Sequence, residues 1–553
     1  MASSLTRVPA TRKGKTATPQ TVKSREDEVL NAAGGYTFKV DDLDRAKRFL
    51  ILGAETNYYT PGAKLAQENA ATLVRLAETD EGSRALVDLI VEYSLGGRAP
   101  KQDAGLFALA IASSHGSVEA RQYALSKLSQ VARTGTTLIQ FVGFALKFRG
   151  WGRALKRAVA EWYTNRDVDK TALQVVKYRQ REGWTHRDLF RTSHPVKADG
   201  AFQALGSFVL KGEVSEVAPA IIKGFTLAQA PGADLPALIR EYGLSWEMLP
   251  TEALNDRKVW DALLDANLPL GALLRNLPKL TNLGFFEKMK AGSRLTEVVG
   301  RLTDKAEIER ARIHPITVLT ALKTYAQGHS QKGSSSWTPS GDILDALDKT
   351  FHLAFKNVVP AGKDFLVALD VSGSMGYSYG SAEILTPREI TAAIATVIKA
   401  TEPSTHIIGF TSDSPNMDRW GRRSGSSYRS AVTVLDTKVT PSRRLDDITR
   451  AISGLPFGGT DVSLPMLYAL EQGLRPEVFV ILTDNETYAG SIKPHEALER
   501  YRKETGIDAK LIVLSTEATR NKVTDPKDKN SLEIAGYDSA APQIMSAFAR
   551  GEF

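Results

Sequence analysis

Asp370-Val371-Ser372-Gly373-Ser374, Gly458-Gly459-Thr460-Asp461 and Leu482-Thr483-Asp484-Asn485-Glu486 are three short polar motifs in the last third of the chain. They supply carboxylate and hydroxyl oxygens, the donors that a hard divalent cation such as Mg²⁺ prefers. Asp370, Ser372 and Ser374 alternate along one short loop, so all three can turn to the same side. Thr460 and Asp484 must arrive from distant loops. The motifs therefore predict a metal site and also a fold that assembles it.

Apolar strands lie directly before two of these motifs. Strands are predicted over 364–369, 406–410, 478–482 and 511–514. Because these apolar runs are continuous rather than alternating, we expect a sheet that is covered on both faces. Helices are predicted between the strands, over 387–401, 445–454, 462–473 and 494–505. Strands that alternate with helices form a parallel sheet, and ligands bind beyond the carboxyl ends of its strands.

Residues 362–553 resemble a von Willebrand factor A domain, an α/β fold with a Rossmann-like, mostly parallel sheet. The motif D-x-S-x-S and the later Thr and Asp are similar to the metal-ion-dependent adhesion site of that family. The resemblance implies a site for Mg²⁺ or another hard divalent cation, with one position open for an acidic group of a protein partner. The implied ligands are Asp370, Ser372, Ser374, Thr460 and Asp484.

A structural interpretation competes with the metal site. The same residues would also suit a serine-rich turn followed by two aspartates that cap helices. Three matches in order at strand ends favour the metal site over this interpretation. Asp461, next to Thr460, either supports the ligands or caps the helix that follows it.

Length and composition restrict the class of protein. A chain of 553 residues is long enough for two or more domains. It has no run of about 20 apolar residues that could span a membrane, and residues 1–31 lack the apolar segment of a secretory signal. It contains no cysteine, which excludes disulfides, thiolate metal sites and cysteine nucleophiles. We therefore expect a cytoplasmic protein without a membrane role.

Positive charge is concentrated in the N-terminal part of the chain. Residues 1–340 contain 47 basic and 35 acidic residues, a net charge of +12, whereas residues 341–553 contain 24 and 28, a net charge of −4. This asymmetry indicates a polyanionic partner for the N-terminal part. Residues 1–30, rich in Ser, Thr, Lys and Arg, are predicted to form a basic disordered tail.

A helical domain is predicted for residues 31–341, followed by a connecting helix and linker over 342–361. Helical stretches with apolar residues three and four apart cover 64–78, 83–95, 102–113, 116–131 and 153–163. Many short amphipathic helices in series are typical of an α-solenoid, in which each pair buries its apolar face against its neighbours. The sequence has no strict period, so it does not predict regular repeats.

The densest basic stretch of the helical domain runs from Phe144 to His194. Its basic groups are interleaved with aromatic ones, a pattern typical of proteins that bind single-stranded nucleic acid. Lys177 and Arg181, four residues apart in a predicted helix, are expected to share one face. A solvated basic helix face with Trp184 in the core explains the same spacing equally well. The histidines of this stretch, taken singly, are more often structural than ligand contacts.

Longer motifs in this stretch resemble the helical-repeat domain of the Ro 60 kDa autoantigen family, the TROVE domain. They are Gly150-Trp151-Gly152-Arg153-Ala154-Leu155, Lys177-Tyr178-Arg179-Gln180-Arg181, Gly183-Trp184-Thr185-His186-Arg187-Asp188-Leu189 and Ser193-His194. The resemblance covers about 32–553 and includes the order of the two domains. It implies a multidomain fold, a closed ring of HEAT-like helix pairs whose ends are joined by the A domain.

The same resemblance implies a non-catalytic, monomeric RNA-binding protein of noncoding RNA quality control and processing. Small structured Y RNAs are expected on the positive outer surface of the ring, and single-stranded 3′ ends of misfolded RNAs in its hole. Polynucleotide phosphorylase, a 3′ exoribonuclease, is the implied protein partner. The RNA contacts of the family map onto Lys177, Arg181 and His194. Charge and proximity add Lys147, Arg149, Arg153 and Arg187.

Other functions fit only parts of the sequence. The motifs supply one metal site, whereas a two-metal nuclease needs a second ion about 4 Å away with further acidic ligands. An ATPase is not predicted, because the chain has no glycine-rich phosphate loop with its lysine. A scaffold of solenoid and A domain that binds only proteins is the remaining alternative, and the basic stretch argues against it.

Overall fold

Helices with one apolar face form the first two thirds of the chain, as the amphipathic pattern predicts. The structure is a computed structural model that describes residues 6–8, 17–53, 62–181, 183–288, 292–330, 334–355, 358–376, 385–412, 430–455, 458–517, 521–536 and 538–552. The helices of this part are α1 Asp42–Leu52, α2 Gly62–Ala77, α3 Asp80–Gly96, α4 Asp103–Ala112, α5 Val118–Ser126, α6 Leu128–Val131, α7 Gly135–Phe148, α8 Arg153–Thr164, α9 Val168–Lys177, α10 His186–Ser193, α11 Gly200–Lys211, α12 Ala220–Ala228, α13 Leu235–Tyr242, α14 Arg257–Asp265, α15 Leu270–Asn282, α16 Leu295–Leu302, α17 Lys305–Ala311, α18 Pro315–Ala326 and α19 Gly341–Leu353.

Each of these helices buries its apolar face against its neighbours. α3 packs against α2, α4 and α5, and α12 packs against α9 and α13. The largest side chains of this core are fully buried; they include Trp162, Tyr163 and Trp260. The predicted helical stretches are confirmed, and the predicted helix over 116–131 is divided into α5 and α6. Within the described ranges, no helix has both the length and the apolar character needed to cross a membrane.

Seven strands, six from the last third of the chain and one from its N-terminal end, form one sheet. The strands of the chain are β1 Thr6–Val8, β2 Glu28–Leu30, β3 Tyr36–Lys39, β4 Gln180–Arg181, β5 Trp184–Thr185, β6 Asp364–Asp370, β7 Ser404–Ser412, β8 Ser430–Val434, β9 Val478–Thr483, β10 Lys510–Ser515, β11 Asn521–Lys522 and β12 Ser531–Ala535. The order in the sheet is β1-β8-β7-β6-β9-β10-β12. The helices of this part are α20 Pro387–Thr401, α21 Leu445–Ser453, α22 Leu464–Gln472, α23 Pro494–Thr505 and α24 Ala541–Arg550.

The mostly parallel sheet is confirmed. β7, β6, β9, β10 and β12 run parallel, whereas β8 is antiparallel to β7 and to β1. Every residue of β9 is buried, as expected for a strand covered on both faces. The four predicted strands lie within β6, β7, β9 and β10. β8 and β12 were not predicted, because each is short and carries polar residues within its apolar pattern.

The N-terminal segment 17–41 packs on the sheet domain, so the prediction of disorder is wrong for residues 17–30. β2 and β3 form a hairpin, and β3 also pairs with β11. Composition misled the prediction because the polar groups of this segment are paired inside the protein. Glu28 is buried and accepts a 3.2 Å hydrogen bond from Nζ of the equally buried Lys493. Residues 1–5 and 9–16 lie outside the described residues.

The series of helices closes on itself. Arg312, directly after α17, donates from Nη1 to the carbonyl oxygen of Leu95 in α3 at 2.9 Å. His314 Nε2 lies 3.2 Å from the carbonyl oxygen of Arg98, which follows the same helix. The sheet domain contacts both ends, because Arg98 pairs with Asp538 and Lys323 of α18 pairs with Glu389 of α20. HEAT-like character of the helix pairs stays a prediction.

Candidate metal centre and basic surface

The sheet brings Asp370 and Asp484 to one edge. β6 ends at Asp370 and β9 ends at Thr483, and these two strands are parallel neighbours. The hydroxyl of Thr483 donates to Asp370 Oδ2 at 2.6 Å. Parallel neighbours end side by side, so the first polar residues after each strand lie close together.

The first motif turns its hydroxyl groups toward these carboxylates. The backbone N–H of Ser372 donates to Asp370 Oδ1 at 2.8 Å. The hydroxyl oxygens of Ser372 and Ser374 are 3.2 Å apart, and the side chain of Ser374 lies close enough to Asp484 to lower the pKa of that carboxylate. Four of the five predicted ligands therefore lie close together.

The second motif is held against the other two loops by its glycines. Gly459 exchanges two backbone hydrogen bonds of 2.7 Å with Ser412 at the end of β7. A Cβ atom on Gly459 would lie only 2.6 Å from the hydroxyl of Tyr488, so a larger residue would force the loops apart. The carbonyl oxygen of Thr460 accepts from the backbone N–H of Tyr488, and Gly373 N donates to Gly458 O at 3.3 Å. Thr460 thus lies between the first and third motifs.

The two carboxylates of this cluster are buried close to each other. Asp370 and Asp484 are 0% and 2% exposed. Burial raises the pKa of Asp370, and burial together with the charge of Asp370 raises the pKa of Asp484 to about 8. Arg388 is nearby, but it donates to the carbonyl oxygen of Ser372 at 2.9 Å and not to either carboxylate. A divalent cation would compensate both carboxylates at once.

The donor set fits a hard divalent ion. Thr460 is 1% exposed, and its Oγ1 has no hydrogen-bond partner among the described residues. An orphaned buried hydroxyl is rare in folded proteins, and this one is available as a ligand. Among the described residues, no group of three or more His, Cys, Asp or Glu side chains is placed to hold a metal ion, so an ion at this cluster would need hydroxyl ligands besides the two carboxylates. Oxygen-only sets of this kind suit Mg²⁺ better than softer ions.

Asp461 lies two residues before Ser463, the N-cap of α22. Its Oδ1 accepts from the backbone N–H of Ser463 at 3.0 Å and from the Ser463 hydroxyl, at the start of α22. The same oxygen accepts from Nε2 of Gln20 at 2.8 Å. Burial raises the pKa of Asp461 to about 6. These bonds hold the turn before α22 and tie the second motif to the N-terminal segment, and they leave both interpretations of Asp461 open.

The basic surface of the helical domain is built around a small hairpin. α9 ends at Lys177, and Arg181 lies in β4, where it pairs with Trp184 of β5. The prediction that Lys177 and Arg181 share a helix face is therefore wrong. Tyr178 leaves the helical region at φ −121° and ψ 56°, and Gly183 supplies the positive φ of +80° that the turn between the strands needs.

Two tryptophans join this hairpin to the preceding basic stretch. The rings of Trp151 and Trp184 are 6.1 Å apart and both side chains are half-buried, so Trp184 is not a core residue. Trp151 lies between α7 and α8, next to Arg149 and Arg153. Lys147 and Arg153 are exposed at the facing ends of these helices. The stretch 147–153 and the hairpin 180–185 thus lie side by side.

Lys177 and Arg149 differ in how their charges are compensated. Lys177 Nζ lies 3.6 Å from Glu247 Oε1, with both side chains less than 20% exposed. Arg149 donates instead to the carbonyl oxygen of Ser113, which carries no net charge. Burial and the nearby charge of Arg121 lower the pKa of Arg149. Arg149 thus lies beside another cation and makes no ion pair among the described residues.

The two histidines have opposite environments. His186 is 3% exposed and its Nδ1 lies 2.7 Å from the hydroxyl of Tyr163. Burial lowers the pKa of His186 to about 4, so this ring is a neutral part of the core. His194 ends α10 in the left-handed region at φ 49° and is exposed. Arg187 is exposed in the first turn of the same helix.

Two residues of this surface were missed by the sequence analysis. Arg121 lies in α5, distant along the chain from Arg149, and only the packing of the helices brings the two charges together. Glu247 lies in a 3-10 turn at Trp246–Met248 and partly neutralises Lys177. No local sequence signal connects either residue with the basic stretch.

Comparison with known proteins agrees with this architecture. The TROVE domain family model matches residues 29–217 and 241–363, and the Ro60 vWA domain model matches residues 364–549. The RNA-binding protein RO60 of Caenorhabditis elegans is 33% identical over 615 residues, covering 96% of this chain and 92% of the relative. The RNA-binding protein RO60 of Deinococcus radiodurans is 37% identical over 541 residues, covering 97% of each chain.

A solved structure extends the likeness to the fold. The crystal structure of the Deinococcus radiodurans RO (RSR) protein has a TM-score of 0.65 and 35% sequence identity, covering 93% of this chain and 100% of that chain. Both domains and their order are therefore shared along nearly the full length. The chain belongs to the Ro60 family, with a TROVE domain followed by a Ro60 vWA domain.

Proposed function

We propose that the chain is a non-catalytic RNA-binding protein that takes part in the quality control and processing of noncoding RNA. Its helical ring binds small structured Y RNAs on the outer surface and accepts single-stranded 3′ ends of misfolded RNAs in its hole. The names of the relatives, RNA-binding proteins at 33% and 37% identity, support this class of function. An A-form RNA duplex exposes mainly its shape and phosphates, whereas single-stranded ends expose their bases.

The observation that carries the proposal is positive charge without local compensation. Arg121 and Arg149 lie close enough for one charge to lower the pKa of the other, and neither makes an ion pair among the described residues. Like charges held together in a folded protein favour a polyanionic ligand. The alternative scaffold that binds only proteins does not account for this pair.

The proposed RNA contacts combine this charge with flat ring surfaces. Arginine binds phosphate at two points and stacks on bases, and an exposed histidine offers a further stacking surface. Exposure favours Arg181, Arg187 and His194, whereas Lys177 must exchange Glu247 for a phosphate. The full proposed set is Lys147, Arg149, Arg153, Lys177, Arg181, Arg187 and His194.

The cluster at the sheet edge is proposed as a site for Mg²⁺ or another hard divalent cation. Asp370 and Asp484 would supply the charge, and Ser372, Ser374 and Thr460 would supply neutral oxygens. When bound, the ion offers an open position to an acidic group of a protein partner. An exoribonuclease such as polynucleotide phosphorylase is the partner that the RNA role suggests. The monomeric state and the cytoplasmic location stay predictions.

A comparison of two RNAs tests the proposal. One RNA has a helical stem and a single-stranded 3′ tail of about 10 nucleotides, and the other is the same stem with a blunt end. We expect tighter binding of the tailed RNA by at least about fivefold at physiological salt, because each added phosphate and base contact contributes. A gel-shift titration of the full chain measures both affinities.

The control RNA carries the same total charge as the tailed RNA. A blunt duplex with as many phosphates as the tailed RNA separates threading of a single strand from general attraction to charge. Equal affinity for the tailed RNA and this longer duplex would contradict binding of single-stranded ends. No binding of either RNA would contradict the RNA-binding function itself.

A further inference from the structure

One side chain of the N-terminal segment lies between two of the three motifs of the candidate metal centre. Gln20 is 0% exposed, and its Nε2 donates to Asp461 Oδ1 at 2.8 Å. Its Oε1 accepts a hydrogen bond of 2.5 Å from the hydroxyl of Thr487. Asp461 directly follows the proposed ligand Thr460, and Thr487 lies three residues after the proposed ligand Asp484. A single amide group therefore connects the loops that carry these two ligands.

Further bonds fix the position of Gln20. Nε2 also donates to the carbonyl oxygen of Ile492 at 3.0 Å, so both hydrogens of the amide and its oxygen have partners. The backbone N–H donates to the carbonyl oxygen of Gly490 at 3.0 Å, and the backbone oxygen accepts from Tyr36 N at 2.8 Å. A Cβ atom on Gly490 would lie 2.2 Å from Gln20 Nε2 and 2.4 Å from Asp461 Oδ1. The amide is thus packed tightly against the second motif.

A turn of the same segment contacts the third motif. Asn31 Nδ2 donates to the carbonyl oxygen of Thr487 at 2.8 Å. The backbone N–H of Ala33 donates to Glu486 Oε2 at 3.1 Å. Glu486 and Thr487 are both fully buried, and they follow Asp484 by two and three residues. The N-terminal segment therefore holds the loop after this proposed ligand at a second place.

Attachment of the N-terminal segment is a simpler role for these bonds, because buried polar groups need partners whatever their function. Other pairs already attach the segment to the sheet domain. Arg25 pairs with Asp525. Glu28 pairs with Lys493. None of these four residues lies in a motif, whereas Gln20 bonds two loops that each carry a proposed ligand, which attachment alone does not explain.

We propose that Gln20 is a positioning residue of the metal centre, which sets the spacing between Thr460 and Asp484. Mg²⁺ requires a near-octahedral set of oxygens at about 2.0–2.1 Å, so small changes in the spacing of its ligands weaken binding. Ca²⁺ accepts distances of about 2.3–2.6 Å and a flexible geometry. Loss of a bond behind a metal ligand typically costs about 10–100-fold in metal affinity. The role of Gln20 rests on the proposed metal centre.

The test compares Mg²⁺ and Ca²⁺ binding to the full chain by isothermal titration calorimetry, for the wild type and for Gln20→Met. Methionine keeps the length of the side chain and removes the bonds of the amide. We expect Mg²⁺ affinity to fall about tenfold and Ca²⁺ affinity to fall less than about threefold, because the larger ion tolerates a wider spacing. The ratio of the two affinities therefore changes by at least about threefold. A side chain that only attaches the segment would lower the melting temperature and leave this ratio unchanged.

Arg25→Met is the matched control. It removes an ion pair between the same segment and Asp525, which follows β11 and lies outside the three motifs. We expect a lower melting temperature and both ion affinities within about twofold of the wild type, because distant sites act independently. If Arg25→Met weakens Mg²⁺ binding as much as Gln20→Met, docking of the whole segment controls the site, and the specific role of Gln20 is overturned.

Thr487→Val covers a failure of Gln20→Met to fold. It removes the hydroxyl that donates to Gln20 and keeps the shape of the side chain, so it should weaken Mg²⁺ binding by a similar factor. If Gln20→Met melts without a cooperative transition, Thr487→Val decides. Wild-type affinities in the folded variant that decides overturn the positioning role and leave the metal centre standing. A wild type that binds neither ion contradicts the metal centre itself, and the positioning role with it.

Discussion

The candidate metal centre of the sheet domain and the basic surface of the helical domain each hold groups of like charge, negative in the first and positive in the second. Asp370 and Asp484 are buried, and burial raises their pKa toward the neutral acid. Arg149 is half-buried beside Arg121, and burial lowers its pKa, which also disfavours the charged form of the side chain. Both regions therefore retain like charges that the fold alone does not compensate.

The difference lies in the size of the ligand that each region can accept. The carboxylates and hydroxyls of the metal centre come from three loops fixed by backbone hydrogen bonds, and they are at most 7% exposed. Such an arrangement suits one small ion. The basic side chains lie at helix ends and in a hairpin, and several are exposed. They suit an extended polyanion whose phosphates are spread over the surface.

The largest expected effect is the loss of the ion after Asp370→Ala. Removal of a carboxylate from a site with only two should weaken Mg²⁺ binding by at least about 1,000-fold. RNA affinity should stay within about twofold, because the RNA contacts lie in the other domain. Isothermal titration calorimetry with MgCl₂ measures the first quantity and a gel shift the second.

Asp447→Ala is the matched control, because it removes an exposed carboxylate of the same domain. It should leave Mg²⁺ affinity unchanged. Loss of RNA binding in a folded Asp370→Ala protein would show that the two regions are coupled, and the comparison above would no longer hold.

Acid should lower the free energy of unfolding, because His186 is buried and neutral in the folded helical domain. The pKa of His186 is about 4 in the folded state and about 6.5 in the unfolded chain, so the unfolded state binds more protons between these values. Stability is therefore lost as pH falls through this window, by about 2–3 kcal/mol at pH 4.5. Urea unfolding at pH 7.5 and pH 4.5 measures the change.

Other acidic groups titrate over the same range, so the contribution of His186 is isolated by difference. His186→Gln should be less stable than the wild type at pH 7.5, but it should lose about 2–3 kcal/mol less on acidification. His194→Gln, at an exposed position, should show the full loss. Equal pH dependence in all three proteins would contradict a buried neutral His186.

The double substitution Lys177→Ala with Arg181→Ala tests whether the basic surface binds RNA. We expect RNA affinity to fall about tenfold at physiological salt, with a smaller salt slope, because two phosphate contacts are removed. Glu247→Gln should act in the opposite direction and strengthen binding about twofold, since it releases Lys177 from its ion pair. Fluorescence anisotropy over a salt series measures all three proteins.

Unchanged RNA affinity in the double variant would mean that this basic surface is only solvated and does not contact RNA. Circular dichroism and the melting temperature must first show that the variant is folded. Arg443→Ala with Arg450→Ala, in the sheet domain, controls for the general loss of two positive charges.

Thr460→Val has the smallest expected effect. It should raise the stability of the metal-free protein and lower its affinity for Mg²⁺. Valine has nearly the shape of threonine without the buried hydroxyl that lacks a partner, so the metal-free protein should gain about 1 kcal/mol. Mg²⁺ affinity should fall, because the same hydroxyl is a proposed ligand. Urea unfolding with EDTA and with MgCl₂ separates the effects, and a loss of stability in EDTA would contradict the orphaned hydroxyl.

Sequence alone predicted the sheet domain more completely than the helical surface. The continuous apolar runs before Asp370 and Asp484 specified both strands, and strand order then required the motifs to meet at one edge. The apolar pattern of a strand or helix is a local property of the chain, so it can be recognised in the sequence. β12 was missed because it is short and its apolar pattern is interrupted by Glu533.

The basic surface was predicted only in part, because its properties depend on contacts between distant helices. The i, i+4 spacing of Lys177 and Arg181 indicated one helix, but the turn at Gly183 produces a hairpin instead. Nothing near Lys177 in the sequence points to Glu247, and nothing near Arg149 points to Arg121. Net charge shows that cations are present, whereas only the fold shows which of them are neutralised.

The N-terminal segment has a consequence for how the protein is made. Gln20 bonds Asp461, 441 residues later in the chain, and Asn31 bonds the carbonyl oxygen of Thr487. At about 5–20 residues per second, Gln20 leaves the ribosome roughly 20–90 s before Asp461 does. The N-terminal segment therefore cannot dock until most of the chain has been made. A fragment that starts at residue 362 would lack this part of the sheet domain.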